Sequence, residues 1–163
     1  RTAKWELCDG DLAPHLVEED LVQVALKLKS SKETMKIWPH KFELVHMIRF
    51  GASELETSMN IKNTGTDAFE FQALLHTYFK MRDLNQVSIE GLEGLRLIDK
   101  LYHVDPEDGP QIFVEKADTV KISSETDNIY MDAGQRPIVL TSKADNTKIE
   151  LQMALCRGDE MTQ

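Results

Sequence analysis

The chain has 163 residues, 41% of them hydrophobic and 29% charged, with a formal net charge of −9. That balance suits one soluble globular domain with a substantial core and argues against a nucleic-acid surface, because no basic stripe offsets the acidity. It also means that an anionic ligand needs a local cationic pocket, since the overall field repels it. No apolar run approaches membrane-spanning length, and no basic segment leads into an apolar stretch as a secretory leader would.

In chain order, Trp5 to Cys8 reads as a short strand, and Asp9 to Asp20, with Gly10 and Pro14, as an acidic loop. Between Leu21 and Leu28 the residues Val22, Val24, Leu26 and Leu28 share one face, which predicts a strand. Ser30 to Thr34 reads as a solvated connection, and Trp38-Pro39 as a break, because proline pushes its predecessor out of helical space. Phe42 to Phe50 is a second long strand, with Phe42, Leu44, His46, Ile48 and Phe50 on one side. Gly51-Ala52-Ser53 turns it into a partner running from Leu55 to Ile61. Asn63-Thr64-Gly65-Thr66 is a turn signal, with Asn and Gly able to take positive φ.

Phe69 to Lys80 separates into two faces when read with a period of two. Phe69, Phe71, Ala73, Leu75, Thr77 and Phe79 form a predicted core face. Glu70, Gln72, Leu74, His76, Tyr78 and Lys80 form the other, a mixture that suits hydroxyl-rich molecules better than the Lys, Glu and Thr of an ordinary solvated face. Shorter strand-like runs follow at Val87 to Ile89, Leu95 to Asp99, Ile112 to Val114, Val120 to Ile122, Ile129-Tyr130, Ile138 to Leu140 and Ile149 to Met153. About ten short strands with Gly/Pro/Asn/Asp turns, and no convincing long amphipathic helix, predict an all-β sandwich or barrel.

Cys8 and Cys156 lie far apart without metal spacing. They could pair, but a reducing cytosol fits at least as well, and two unpaired, partly buried thiols are expected. The sequence opens on Arg1 without a methionine and stops soon after a strand-like run, as expected of a piece of a longer chain.

Leu75-His76-Thr77-Tyr78-Phe79, followed by Asp83 and then Val87 through Gly91-Leu92, resembles the hexose-6-phosphate mutarotases. These glucose-6-phosphate 1-epimerases are a branch of the aldose 1-epimerase superfamily. Arg1 to Trp5 is similar to the end of the family's His-Gly-Phe-Ala-Arg segment and the Trp after it. Trp38-Pro39-His40-Lys41-Phe42 is similar to its Trp-Pro-x-x-Phe, and Asn63-Thr64-Gly65 to its Asn-Thr-Gly hairpin. Asp99-Lys100 and Glu125-Thr126-Asp127-Asn128-Ile129-Tyr130 also have counterparts, so the resemblance covers essentially the whole chain.

The resemblance implies an all-β fold, the galactose-mutarotase-like twisted β-sandwich, incomplete in this fragment. It would be a single domain over residues 1–163, lacking N-terminal and C-terminal segments. It implies interconversion of the α and β anomers of a hexose 6-phosphate, with no cofactor and no metal. The partner would be a small-molecule sugar phosphate, with neither nucleic acid nor membrane, in a cytoplasmic protein that is monomeric when complete. The family's role of general acid falls on His76, a residue type whose unperturbed pKa near roughly 6.5 suits that task. Arg1 is carried over as a phosphate or sugar-hydroxyl ligand and Asp127 as a sugar-hydroxyl acceptor. The family's base, a glutamate after a Trp-Asn-Pro-Trp segment, would follow the strand at Ile149 to Met153, beyond this chain. Asn128 stands where many members carry Arg.

Two other readings stand beside this one: a carbohydrate-binding or scaffold sandwich without catalysis, and a closed β-barrel around a ligand. His15, His40, His46 and His103 show no metal pattern, Trp5 and Trp38 read as core anchors, and Lys80 and Arg82 as solvated loop charges.

Overall fold

The protein is described here by a computed structural model covering residues 3–18, 20–102 and 109–154. It falls into two compact units, Arg1–Leu75 and His76–Gln163. The first holds β1 (Glu6–Leu7), β2 (His15–Glu18), β3 (Leu21–Lys29), a helix α1 (Lys32–Ile37), β4 (Phe42–Phe50) and β5 (Leu55–Asn63). The second holds β6 (Val87–Glu90), β7 (Arg96–Asp99), β8 (Ile112–Val114), β9 (Thr119–Lys121), β10 (Asn128–Tyr130), β11 (Ile138–Ser142) and β12 (Thr147–Leu151).

In the first unit the strands make one antiparallel sheet ordered β1-β3-β4-β5, with β2 also paired to β3. The register runs unbroken from Val22 opposite Phe50 and Phe50 opposite Leu55 to Leu28 opposite Leu44 and Leu44 opposite Ile61. Directly opposed residues share a face. Val22, Val24, Leu26 and Leu28 therefore line up with Leu44, His46, Ile48 and Phe50, as the alternation predicts.

The deepest burial of β3 is nevertheless on its other side, where Ala25 is 0% and Gln23 4% exposed. The Cys8 N–H donates to the Ala25 carbonyl at 2.9 Å, extending the β1–β3 pairing. Gln23 is accommodated there because its Oε1 accepts the Arg49 Nε–H at 2.9 Å. Leu7, Phe50 and Leu55, on the apolar side, stay exposed.

The predicted acidic loop contains β2, and α1 begins inside the predicted solvated connection and runs past it to Ile37. That helix forms because Ser31 and Thr34 cap it reciprocally. The Ser31 hydroxyl accepts from the Thr34 N–H, and the Thr34 hydroxyl accepts the Ser31 N–H at 2.7 Å. Chain entry into the segment after β5 is set by Asn63. Its Oδ1 accepts the Gly65 N–H and its Nδ2 donates to the Asp67 carbonyl, both at 2.9 Å, without positive φ at Asn63 or Gly65.

The strand predicted over Phe69 to Lys80 is not a paired strand. The segment has no ladder partner among the described residues, and its expected core face is largely uncovered, with Phe71 52% and Leu75 54% exposed. Alternation reports extended backbone, whereas burial needs a neighbouring layer, and only Phe69 finds one.

The second unit packs two antiparallel sheets, β10-β7-β8 and β12-β11-β6-β9. Its core gathers Leu92, Leu95 and Ile138. Packed around them are Ile89, Val120, Leu140 and Leu151 from the four-stranded sheet and Tyr130 from the three-stranded one. Each fully buried aliphatic side chain contributes about 1.5–3 kcal/mol, well above an exposed ion pair, so this apolar contact holds the layers. None of the three sheets closes on itself among the described residues, which speaks against the closed-barrel reading. No helix among the described residues is long and apolar enough to cross a membrane.

Gly91 closes β6 at φ 93°, and a Cβ there would collide with the Pro137 carbonyl oxygen. Gly91→Ala is expected to destabilise the protein by about 2–3 kcal/mol, read as a lowered chemical-denaturation midpoint.

Candidate active site

His76 opens the second unit on a stretch that pairs with no strand among the described residues, and it is exposed. Residues i and i+2 of an extended chain share a side. The ring accordingly lies against Tyr78, with centroids 4.6 Å apart and planes tilted by 33°. Tyr78 and Leu74, on the same side by alternation, are 88% and 83% exposed. Exposure does not distinguish the two predicted faces here, because every residue from Glu70 to Lys80 is exposed.

Both ends of the segment are fastened. Toward its N-terminal end, within the first unit, Phe69 packs edge-on against Trp38 at 4.7 Å and beside His40 at 5.1 Å. Trp38 is thus the anchor its residue type implied. A hollow of about 1020 Å³ lies between Phe69–Leu75 and the sheet residues Leu44, Met59 and Ile61.

At the C-terminal end, within the second unit, the Arg82 N–H donates to Asp145 Oδ2 at 3.0 Å. The Arg82 guanidinium pairs with Asp145 Oδ1 at 3.5 Å. The same carboxylate accepts the Ser142 hydroxyl at 2.6 Å. The Arg82 backbone N–H, then the Ser142 hydroxyl, holds Asp145 below the usual carboxylate range, with the charges of Arg82 and Lys80 assisting. Asp83 follows, with Oδ2 accepting from Gln86 Nε2 at 2.9 Å and Oδ1 from the Asn85 N–H at 3.0 Å. Those bonds, the Gln86 amide first, also lower its pKa. The Arg82 side chain remains a largely solvated charge, 76% exposed, as its position implied; it is the backbone N–H that ties the residue to Asp145.

Asp127 lies just before β10, half exposed. Its Oδ2 accepts from Lys100 Nζ at 2.8 Å, and its carbonyl accepts the Lys100 N–H at 2.8 Å. Asn128 and Tyr130 instead line a hollow of about 430 Å³ with Glu125, Leu92 and Val120. Burial, more than anything else, raises the Tyr130 pKa, and its hydroxyl donates to Glu115 Oε2 at 2.9 Å. Neither hollow is lined by His76 or Asp127. No hydrogen bond joins those two residues, and Arg1, His103 and Cys156 lie outside the described residues. Cys8 is unpaired and buried. Among the described residues no group of three or more His, Cys, Asp or Glu is placed to hold a metal ion. Sequence reading missed Lys100 as the partner of Asp127 and Asp145 as the partner of Arg82. Both pairings span long stretches of chain and leave no local pattern.

The family model described as aldose 1-epimerase matches residues 4–154. The chain belongs to the aldose 1-epimerase family. A protein of Cenchrus ciliaris named "Putative glucose-6-phosphate 1-epimerase" is 32% identical over 151 residues, 90% of this chain and 44% of its own length. One of the same name from Escherichia coli K12 is 32% identical over 131 residues, 78% of this chain and 42% of its own. A solved Salmonella typhimurium structure titled a putative mutarotase (YeaD) superposes with a TM-score of 0.70 at 25% identity, covering 90% of this chain and 43% of that one. The architecture is thus the mutarotase-like β-sandwich. This family member spans less than half the length of the curated relatives it matches.

Two outcomes follow from the electrostatics. The Lys100–Asp127 pair is exposed, so Lys100→Ala should change unfolding free energy by no more than about 0.5 kcal/mol, and by less in high salt. For Asp83, the unfolded carboxyl takes up its proton near 3.8 and the folded one only at lower pH. Its stabilisation is therefore in place above that value and lost as pH falls through the folded pKa. The denaturation midpoints of wild type and Asp83→Asn should differ near neutral pH and converge in acid.

Proposed function

We propose that these residues carry the acid half of the site of a hexose-6-phosphate mutarotase, with glucose 6-phosphate the expected substrate. The observation carrying this reading is the exposed His76 imidazole within Leu75-His76-Thr77-Tyr78-Phe79, in a chain of the aldose 1-epimerase family.

The reaction needs two proton transfers about C1. His76, protonated, gives its proton to the ring oxygen as the C1–O5 bond breaks, while a base takes the proton from the anomeric hydroxyl. The open aldehyde rotates about C1–C2, and the reversed transfers close the ring as the other anomer. We place the base, a glutamate, outside these residues; the chain's span of 44% of its Cenchrus ciliaris relative supports that placement. Asp127 would accept a hydrogen bond from a sugar hydroxyl, exchanging its exposed contact with Lys100 at little cost. Arg1 would hold the phosphate, the local cation that a chain of net charge −9 requires. The 163 residues would form one part of a larger β-sandwich acting as a cytosolic monomer.

In the full-length protein, His76→Ala should slow anomerisation of glucose 6-phosphate by about 10²–10⁴-fold, followed by exchange NMR. A rate within twofold of wild type would remove His76 from the chemistry. The 163-residue piece by itself should catalyse no measurable anomerisation.

A further inference from the structure

A segment without ladder hydrogen bonds owes its position to the points where it is fastened. On the C-terminal side of His76 the first such point is Arg82, because residues 76–81 pair with no strand among the described residues. Arg82 meets one carboxylate through both its backbone N–H, at 3.0 Å, and its guanidinium, at 3.5 Å.

That carboxylate is itself immobilised. Asp145 Oδ2 accepts the Ser142 hydroxyl at 2.6 Å, and the Asp145 N–H donates back to the Ser142 Oγ at 3.3 Å. The Asp145 carbonyl accepts the Thr147 hydroxyl at 3.1 Å. Ser142 is 1% exposed and sits opposite Val87 in the β6–β11 ladder. The Lys143 N–H donates to the Gln86 carbonyl at 3.1 Å, so the β11–β12 turn is stitched to the residues just after Arg82. Oδ2 takes both the Arg82 N–H and the Ser142 hydroxyl, while Oδ1 faces the Arg82 guanidinium. An amide could keep the first two on its oxygen but would turn an N–H₂ toward the guanidinium and lose the negative charge.

We propose that Asp145 is a positioning residue for His76: by clamping Arg82 onto the β11–β12 turn it fixes the C-terminal root of the segment that presents the imidazole to the sugar. The proposal rests on the reading of His76 as the acid. Asp145 touches no reacting atom. Its effect falls on where the imidazole stands when the ring oxygen must be protonated, a step sensitive to displacements of an ångström.

The test uses Asp145→Ala and Asp145→Asn in the full-length protein, with His76→Ala as reference and Lys148→Ala, an exposed charge on the same hairpin, as control. Anomerisation of glucose 6-phosphate is measured by exchange NMR well below each variant's Tm, together with the His76 ring resonances. The expected result for Asp145→Ala is a kcat lower by about tenfold or more, a KM within twofold of wild type, and shifted or broadened His76 ring signals. Asp145→Asn, which keeps the shape and one acceptor, shows the same split to a smaller extent, and Lys148→Ala shows none. A wild-type kcat in Asp145→Ala, or a deficit that vanishes on cooling further below Tm, overturns the clamp. Full activity in His76→Ala overturns the acid assignment instead, so the two failures are distinguishable.

Discussion

The candidate site of this protein is carried on a segment that pairs with no strand among the described residues, so its position depends on its fastenings. Aromatic packing of Phe69 against Trp38 and His40 secures one side. The Asp145 carboxylate, itself braced by the buried Ser142, secures the other. Within the second unit the His76 ring has Tyr78 as its aromatic neighbour. The two anchors differ in kind. The first is apolar contact, indifferent to pH and salt. The second is a charge-assisted hydrogen-bond cluster whose strength depends on an ionised carboxylate.

Charge elsewhere does little for stability. Lys100–Asp127 and Arg96–Asp132 are exposed pairs, and such pairs contribute on the order of 0–1 kcal/mol each. Leu92, Leu95 and Ile138 outweigh them together, since burial of aliphatic surface is not screened. The surface charges are therefore available for recognition. For an acidic chain, any anionic ligand depends on local cations more than on the overall field.

Much of the fold is legible in the linear chain where local chemistry decides it. β3, β4 and β5 stand where the alternation places them, because long two-sided strands carry their own register. The short strands of the second unit also fall close to their apolar runs. Two elements were not legible. β2 lies in what reads as an acidic loop, since His15 to Glu18 offers only two apolar residues and takes its form from pairing with β3. The helix α1 is announced by a Ser31/Thr34 capping pair, which is less conspicuous than the usual Ser/Glu box.

By itself, the sequence determined the all-β class, the family membership and the alternating residue pattern of Phe69 to Lys80. These depend on residue type and spacing, both complete in one dimension. Tertiary structure alone decided that this alternating segment pairs with no described strand, and that β3 buries Gln23 and Ala25 in preference to its apolar side. It also decided which carboxylate holds Arg82 and which cation holds Asp127. Alternation reports which side chains share a face. What covers that face, and which distant charge comes to meet it, is settled by contacts between residues that the chain order keeps far apart.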